Sequence, residues 1–187
     1  MKHFKLTSES KVNSFGVNLF KIELTIDCKW GKAGDKGGWI EKEENLSGNA
    51  WVSGNAEVSG NAWVSGNAWV SGNAWVYGNA EVSGDARVSG NAWVSGNAWV
   101  SGNARVSGDA RVESNQDYCA LQSFGSENRT TTFFKTKTKE IAVKCGCFEG
   151  SLLEFEARVK SFHGDNKAGR EYMAAIALVK VKFDLNN

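Results

Sequence analysis

The sequence is poor in most of the residues and patterns that mark enzymes, secreted proteins and membrane proteins. Its 187 residues include no proline, two histidines and four cysteines. Cys28, Cys119, Cys145 and Cys147 are too few and too scattered for a disulfide framework, so a reducing cytoplasm is the simplest setting. Cys145 and Cys147 could supply two metal ligands, but no second pair or nearby histidine completes a four-ligand set, and no metal is expected. Charge of one sign is lacking too. With 22 Lys and Arg against 21 Asp and Glu the net charge is +1, which excludes an acidic nucleic-acid mimic and a global polycation; affinity for anions must come from local clusters. No run approaches the roughly 18 apolar residues of a membrane helix, and the first fifteen residues lack a signal-peptide core. A cytoplasmic chain without a membrane partner is the expectation. No Ser–His–acid or paired-carboxylate arrangement is visible, so neither catalysis nor a cofactor is expected.

The chain is rich instead in glycine and tryptophan, 21 and 8 residues, and most of them belong to one repeat. An aliphatic residue returns every sixth position at Leu46, Val52, Val58, Val64, Val70, Val76, Val82, Val88, Val94, Val100, Val106 and Val112. The text between is nearly constant, S-G-N-A-x-V, with Asp85 and Asp109 for Asn and Tyr77 for Ser. A strict short period marks a solenoid. In each A-x-V triplet Ala and Val share one face of a strand while x points outward. Ser-Gly-Asn makes the corner, because Gly and Asn tolerate the positive φ of a sharp bend. Three hexads give a triangular coil of 18 residues, so the repeat predicts about four coils, with Asn side chains stacking at the corners.

Sorted by coils, the outward positions fall into three rows. The first is Trp39, Glu57, Trp75, Trp93 and Arg111; the second Asn45, Trp63, Glu81 and Trp99; the third Trp51, Trp69, Arg87 and Arg105. A 12-residue coil would instead align Trp39, Trp51, Trp63, Trp75, Arg87, Trp99 and Arg111. The aliphatic column is thin beside the entropy of ordering so many residues. Trp51 to Trp99 would expose on the order of 1,000 Å², more than a monomer usually leaves contiguous. Partner subunits are therefore expected to cover the faces in a closed homo-oligomer, with a trimer favoured and Trp63, Trp75, Trp93 and Trp99 at the interface. Arg87 and Arg105, stacked in register, call for a counter-anion or a neighbouring subunit's carboxylate. Trp51, Trp69, Arg87, Arg105 and Arg111 are the candidate ligand residues, because Trp with Arg suits an aromatic base bearing phosphate.

The flanks read as attachments. Phe20 to Ile26 alternates as a strand, and Gly31 to Gly38 suggests tight turns; together residues 20–36 would lid the open end. Residues 1–16 carry no periodic signal. Beyond Val112, strands are expected at Tyr118 to Phe124, Thr131 to Lys135 and Glu140 to Phe148. A capping box at Ser151 to Glu154 opens a helix through Phe162, and a second runs from about Ala168 to Lys180. His163 is read as structural, at a helix C-terminus. The divisions are 1–37 (cap), 38–115 (repeat) and 116–187 (a small α+β unit that caps the far end or sets the oligomer). The fold class is mainly β.

The segment Leu19-Phe-Lys-Ile, then Gly34-Asp-Lys-Gly-Gly-Trp-Ile-Glu-Lys-Glu-Glu-Asn-Leu46 and the hexads resembles uncharacterised bacterial and phage hexapeptide-repeat proteins. The resemblance implies the left-handed parallel β-helix of hexapeptide acyltransferases, and it alone carries the handedness. Gly146 to Leu152 with His163-Gly-Asp-Asn and Glu171-Tyr is similar to the tails of phage-type proteins. Acyltransferases use a histidine base on the coils, and related carbonic anhydrases use histidine zinc ligands; His3 and His163 lie off the coils, so neither role transfers. Two binding functions remain as expectations. One is a phage-type oligomer that sequesters a small anionic, nucleotide-like ligand to counter host defence. The other is a structural or protein-interaction scaffold, toward itself or a host protein, whose Trp rows form the interface.

Overall fold

A computed structural model describes residues 2–185. Three strands lead in: β1 (Phe4–Val12), β2 (Asn18–Leu24) and β3 (Lys36–Ile40). Eleven two-residue rungs follow, six residues apart: β4 (Trp51–Val52), β5 (Glu57–Val58), β6 (Trp63–Val64), β7 (Trp69–Val70), β8 (Trp75–Val76), β9 (Glu81–Val82), β10 (Arg87–Val88), β11 (Trp93–Val94), β12 (Trp99–Val100), β13 (Arg105–Val106) and β14 (Arg111–Val112). Pairing is parallel and 18 residues apart, as in Trp51 with Trp69 and Arg87 with Arg105. That register gives a β-solenoid of three-sided coils and rules out the 12-residue alternative. The three sheets run β1-β2-β3-β5-β8-β11-β14, β13-β10-β7-β4 and β12-β9-β6, which are the three rows deduced from the repeat.

Inside the coils every Ala and Val of the hexads is buried, at 1% exposure or less. The corner glycines carry the bend with φ near +60 to +72°, and those from Gly48 to Gly90 each stack on the glycine one coil on. Corner asparagines hydrogen-bond along the rod, for example Asn55 Nδ2 to Asn73 Oδ1 at 3.3 Å and Asn73 Nδ2 to Asn91 Oδ1 at 3.2 Å. Such ladders satisfy polar groups that a bare corner would leave open.

The N-terminal lid is larger than the sequence implies. Residues 4–12, read as featureless, form β1 and pair antiparallel with β2. The pattern is weak because most of this strand faces water; Phe4 is buried and Lys5 to Val12 largely are not. Phe4, Ile22 and Leu24 join the rod's core cluster and close its first coil. Of the four glycines expected in turns, Gly31 and Gly34 have positive φ. Gly37 and Gly38 lie instead in β3, where a Cβ would meet Trp51 and Val52 within 2.7 Å. Their role is close approach, not bending.

His3 sits in this lid, 8% exposed, with its Nε2–H donating to the Ala50 carbonyl at 3.0 Å. Burial holds its pKa below the ordinary 6.5. The folded chain therefore prefers the neutral ring, and the unfolded chain takes up a proton first as pH falls. The contribution is complete above about pH 6.5 and is lost as acid drives the folded ring's own protonation. Urea midpoints should drop between about pH 7 and pH 5 in the wild type, and drop less in His3→Gln.

The C-terminal unit is a meander of β15 (Tyr118–Phe124), β16 (Arg129–Lys135), β17 (Ile141–Cys145) and β18 (Phe148–Ser151), then α1 (Leu152–His163) and α2 (Lys167–Lys182). The single strand expected at 140–148 is two, broken at Gly146 with φ +57°. Ser151 and Glu154 form the capping box. The sheet alternates up to the register shift of β15 between Leu121 and Phe124. Tyr118, Ala120, Phe134 and Ala142 pack on the rod's core, while Cys119, Leu121, Phe133 and Val143 pack toward the helices. One layer thus plugs the rod and carries the helices, tied by the Ala110–Thr136 bridge and by Arg105 N–H to Thr132 Oγ1 at 2.9 Å.

Candidate functional site

The outward side chains of the coils do not share one fate. Each indole N–H needs a partner, and the repeat supplies one by period. Trp63, Trp69 and Trp99 donate to Ser47, Ser53 and Ser83 at 2.8, 2.9 and 3.0 Å, always 16 residues back. The corner serine one coil below is therefore the cradle for the tryptophan above it. For Trp93 that position holds Tyr77, whose ring meets the indole edge-on at 6.3 Å.

The first row is covered by the chain itself. Lys11 and Lys21 lie over Trp39 at 4.6 and 4.5 Å, and Lys11 also pairs with the buried Glu57 at 2.7 Å. Trp75 and Trp93 stack with centroids 5.0 Å apart and planes 4° from parallel. Phe15, at the turn between β1 and β2, meets Trp75 at 5.4 Å. The hairpin therefore folds back over this face. Arg111 lies 4.1 Å over Trp93 and donates to the carbonyls of Asn91, Asp109 and Ala110. It is a capping residue of the first row, apart from Arg87 and Arg105 in the third. Trp75 and Trp93 are half-buried, so the intramolecular stack provides cover that was expected from a partner.

In the third row Trp51 is 4% exposed and packs against the His3 ring. It offers no face to a ligand, and its place among the candidate ligand residues is withdrawn. The cause is the β1 hairpin, distant in sequence. Trp69 is half-buried, with Trp30 5.7 Å away and Arg87 over it at 5.5 Å. Arg87 and Arg105 remain exposed and paired in register, with no ion pair to either among the described residues. In the second row Trp63 and Trp99 are 44% and 51% exposed, flanking Glu81. The open surface of the rod is thus the second and third rows, one acidic and aromatic, the other basic and aromatic.

Two of the cavities that border the C-terminal unit include Arg129. One, of about 310 Å³, is lined by Asn103, Arg105, Asn128, Arg129, Thr130 and Gly146. The other, of about 250 Å³, lies between the meander and α1 and includes Arg129, Arg158, Phe148 and both Cys145 and Cys147. Buried Tyr172 borders it, and burial raises the pKa of its hydroxyl. Neither cavity is legible in the sequence: the first joins the rod at Asn103 and Arg105 to the meander at Asn128 to Thr130 and Gly146, and the second joins the meander to both helices. No group of three or more His, Cys, Asp or Glu among the described residues is placed to hold a metal ion. No helix is long and apolar enough to cross a membrane among those residues.

Five stretches of the coils, residues 56–72, 62–78, 80–96, 86–102 and 98–114, match the family model described as YdcK beta solenoid repeat. The match lies within the repeat and speaks to the β-solenoid, leaving both flanks outside it. A search of curated proteins gives no match.

Proposed function

We propose that this β-solenoid is a non-catalytic scaffold that associates with copies of itself, the second row of one rod docking on the third row of the next. The observation that carries this is a coil-by-coil complementarity. Trp63 and Trp69, Glu81 and Arg87, and Trp99 and Arg105 are each six residues apart, so each pair differs in height by about a third of the ~4.8 Å coil spacing. A ring about an axis parallel to the rods keeps every residue at its own height. Successive levels then bring indole to indole, carboxylate to guanidinium, and indole to guanidinium. A two-fold axis parallel to the rods would bring Arg87 and Arg105 onto their own copies, and a perpendicular one at Glu81 would oppose two carboxylates. A head-to-tail contact cannot close with two copies, which makes a trimer the smallest ring.

Glu81→Arg and Arg87→Glu test this by light scattering. Each single variant should weaken assembly about tenfold or more, and the double variant should restore it. A monomeric wild type, or single variants that assemble normally, would refute the ring.

A second reading, sequestration of a nucleotide-like ligand in a phage-type defence context, is favoured by one feature: Arg105 and Arg129 share the 310 Å³ cavity. Under that reading purified protein retains an ultraviolet-absorbing molecule. Arg87→Ala with Arg105→Ala then releases it without dissociating the oligomer.

A further inference from the structure

We propose that the cavity between the C-terminal meander and α1 binds a small organic anion built on an aromatic ring. This goes beyond the scaffold and does not depend on the ring of rods. The cavity is about 250 Å³ and is lined by Arg129 and Arg158, by Phe148, Phe155 and Phe162, and by the Cys147 thiol, with no carboxylate among its lining residues. It is amphipathic with one sign of charge, which selects a ligand with an apolar body and a negative end.

Arg158 is the decisive residue. On a helix its natural partner is Glu154, four positions earlier. That carboxylate is committed to the capping box, accepting from Ser151 N–H at 2.7 Å and Ser151 Oγ at 2.8 Å. Arg158 forms no ion pair among the described residues. It lies over the rings of Phe162 and Phe148 at 5.0 and 5.8 Å, a guanidinium held at the mouth of an aromatic pocket. Arg129, also on the lining, pairs at 3.2 Å with Glu127, whose side chain is 62% exposed. A weak surface pair of that kind yields readily to an anion. Phe162 is 71% exposed, an apolar ring left open at the rim where a ligand would complete its burial. A planar ring between these phenyl groups, with a phosphate or carboxylate on the guanidiniums, uses every one of these features.

The test uses the full chain and the thiol at the site. Iodoacetamide labelling of Cys147 is followed by peptide mass with phenylphosphate, benzoate, inorganic phosphate or benzyl alcohol present. Cys28, in the N-terminal lid, is the internal control. Phenylphosphate or benzoate should slow Cys147 labelling while Cys28 is unchanged, and whichever protects at lower concentration identifies the anionic group. Inorganic phosphate and benzyl alcohol, each half of the ligand, should protect far less. Arg158→Met, which keeps the apolar stem over the rings, should raise the concentration needed for protection about tenfold. The proposal is overturned if neither aryl anion protects, if either half-ligand protects equally, if Cys28 slows in parallel, or if Arg158→Met changes nothing.

Discussion

Gly90→Ala should lower the unfolding free energy by about 2–4 kcal/mol, more than most single-methyl changes in a protein. Two effects add at this corner. Gly90 has φ +69°, where an L side chain is strained by roughly 1–2 kcal/mol. A Cβ there would also lie 2.8 Å from the Gly108 nitrogen and 3.1 Å from its oxygen. These are backbone atoms one coil along, and Asn91 N–H donates to that same Gly108 oxygen at 2.9 Å. No rotamer change can relieve the contact; only separating the coils can, which weakens the ladder. Gly16→Ala provides the comparison, since its φ is +77° but nothing lies within 4 Å of the new carbon. It should show the backbone strain alone, near 1 kcal/mol. Urea unfolding of both variants gives the two costs, and equal losses would mean that coil stacking at the corners adds nothing.

The same contrast explains what could be read from the sequence. The coils were legible because the constraint is local and periodic. An Ala–Val face, a glycine bend and an outward residue recur every six positions, and the 18-residue coil follows from a three-sided section. The helix start at Ser151 was legible for the same reason, since a capping box spans only four residues. The burial of Trp51 was not, because it depends on His3 and the β1 hairpin, nearly fifty residues earlier. The self-cover of the first row was missed likewise: Phe15 and Lys11 come from a hairpin whose outward strand lacks alternation. A thin aliphatic column does need further burial, but four of the six tryptophans from Trp51 to Trp99 find it at least partly within the chain, leaving Trp63 and Trp99 exposed. That loss of exposed aromatic area is why a ligand stacked on the third row is less favoured than a rod-to-rod contact. The arginines remain, and their open position in register is the part of the candidate site that spacing alone had located.

Phe134→Ala and Phe133→Ala should each cost about 3–5 kcal/mol, yet in different parts of the molecule. The two rings are neighbours on β16 and point to opposite faces, as a strand requires. Phe134, 1% exposed, belongs to the rod's core cluster, and Phe133, fully buried, belongs to the cluster under the helices. Phe133 meets Phe155 edge-on at 6.1 Å. Removing Phe134 opens the last coil, whose Ala and Val have no further coil above them. Amide exchange should therefore quicken for the ladder amides of Trp93 and Ser95, which donate to Ala110 and Val112, while α1 keeps its protection. Removing Phe133 should do the reverse, loosening α1 and α2 around Phe155 and Ile176 and sparing the ladder. If either variant accelerates exchange equally in both regions, the meander is no partition between two cores, and the rod and its C-terminal unit unfold as one.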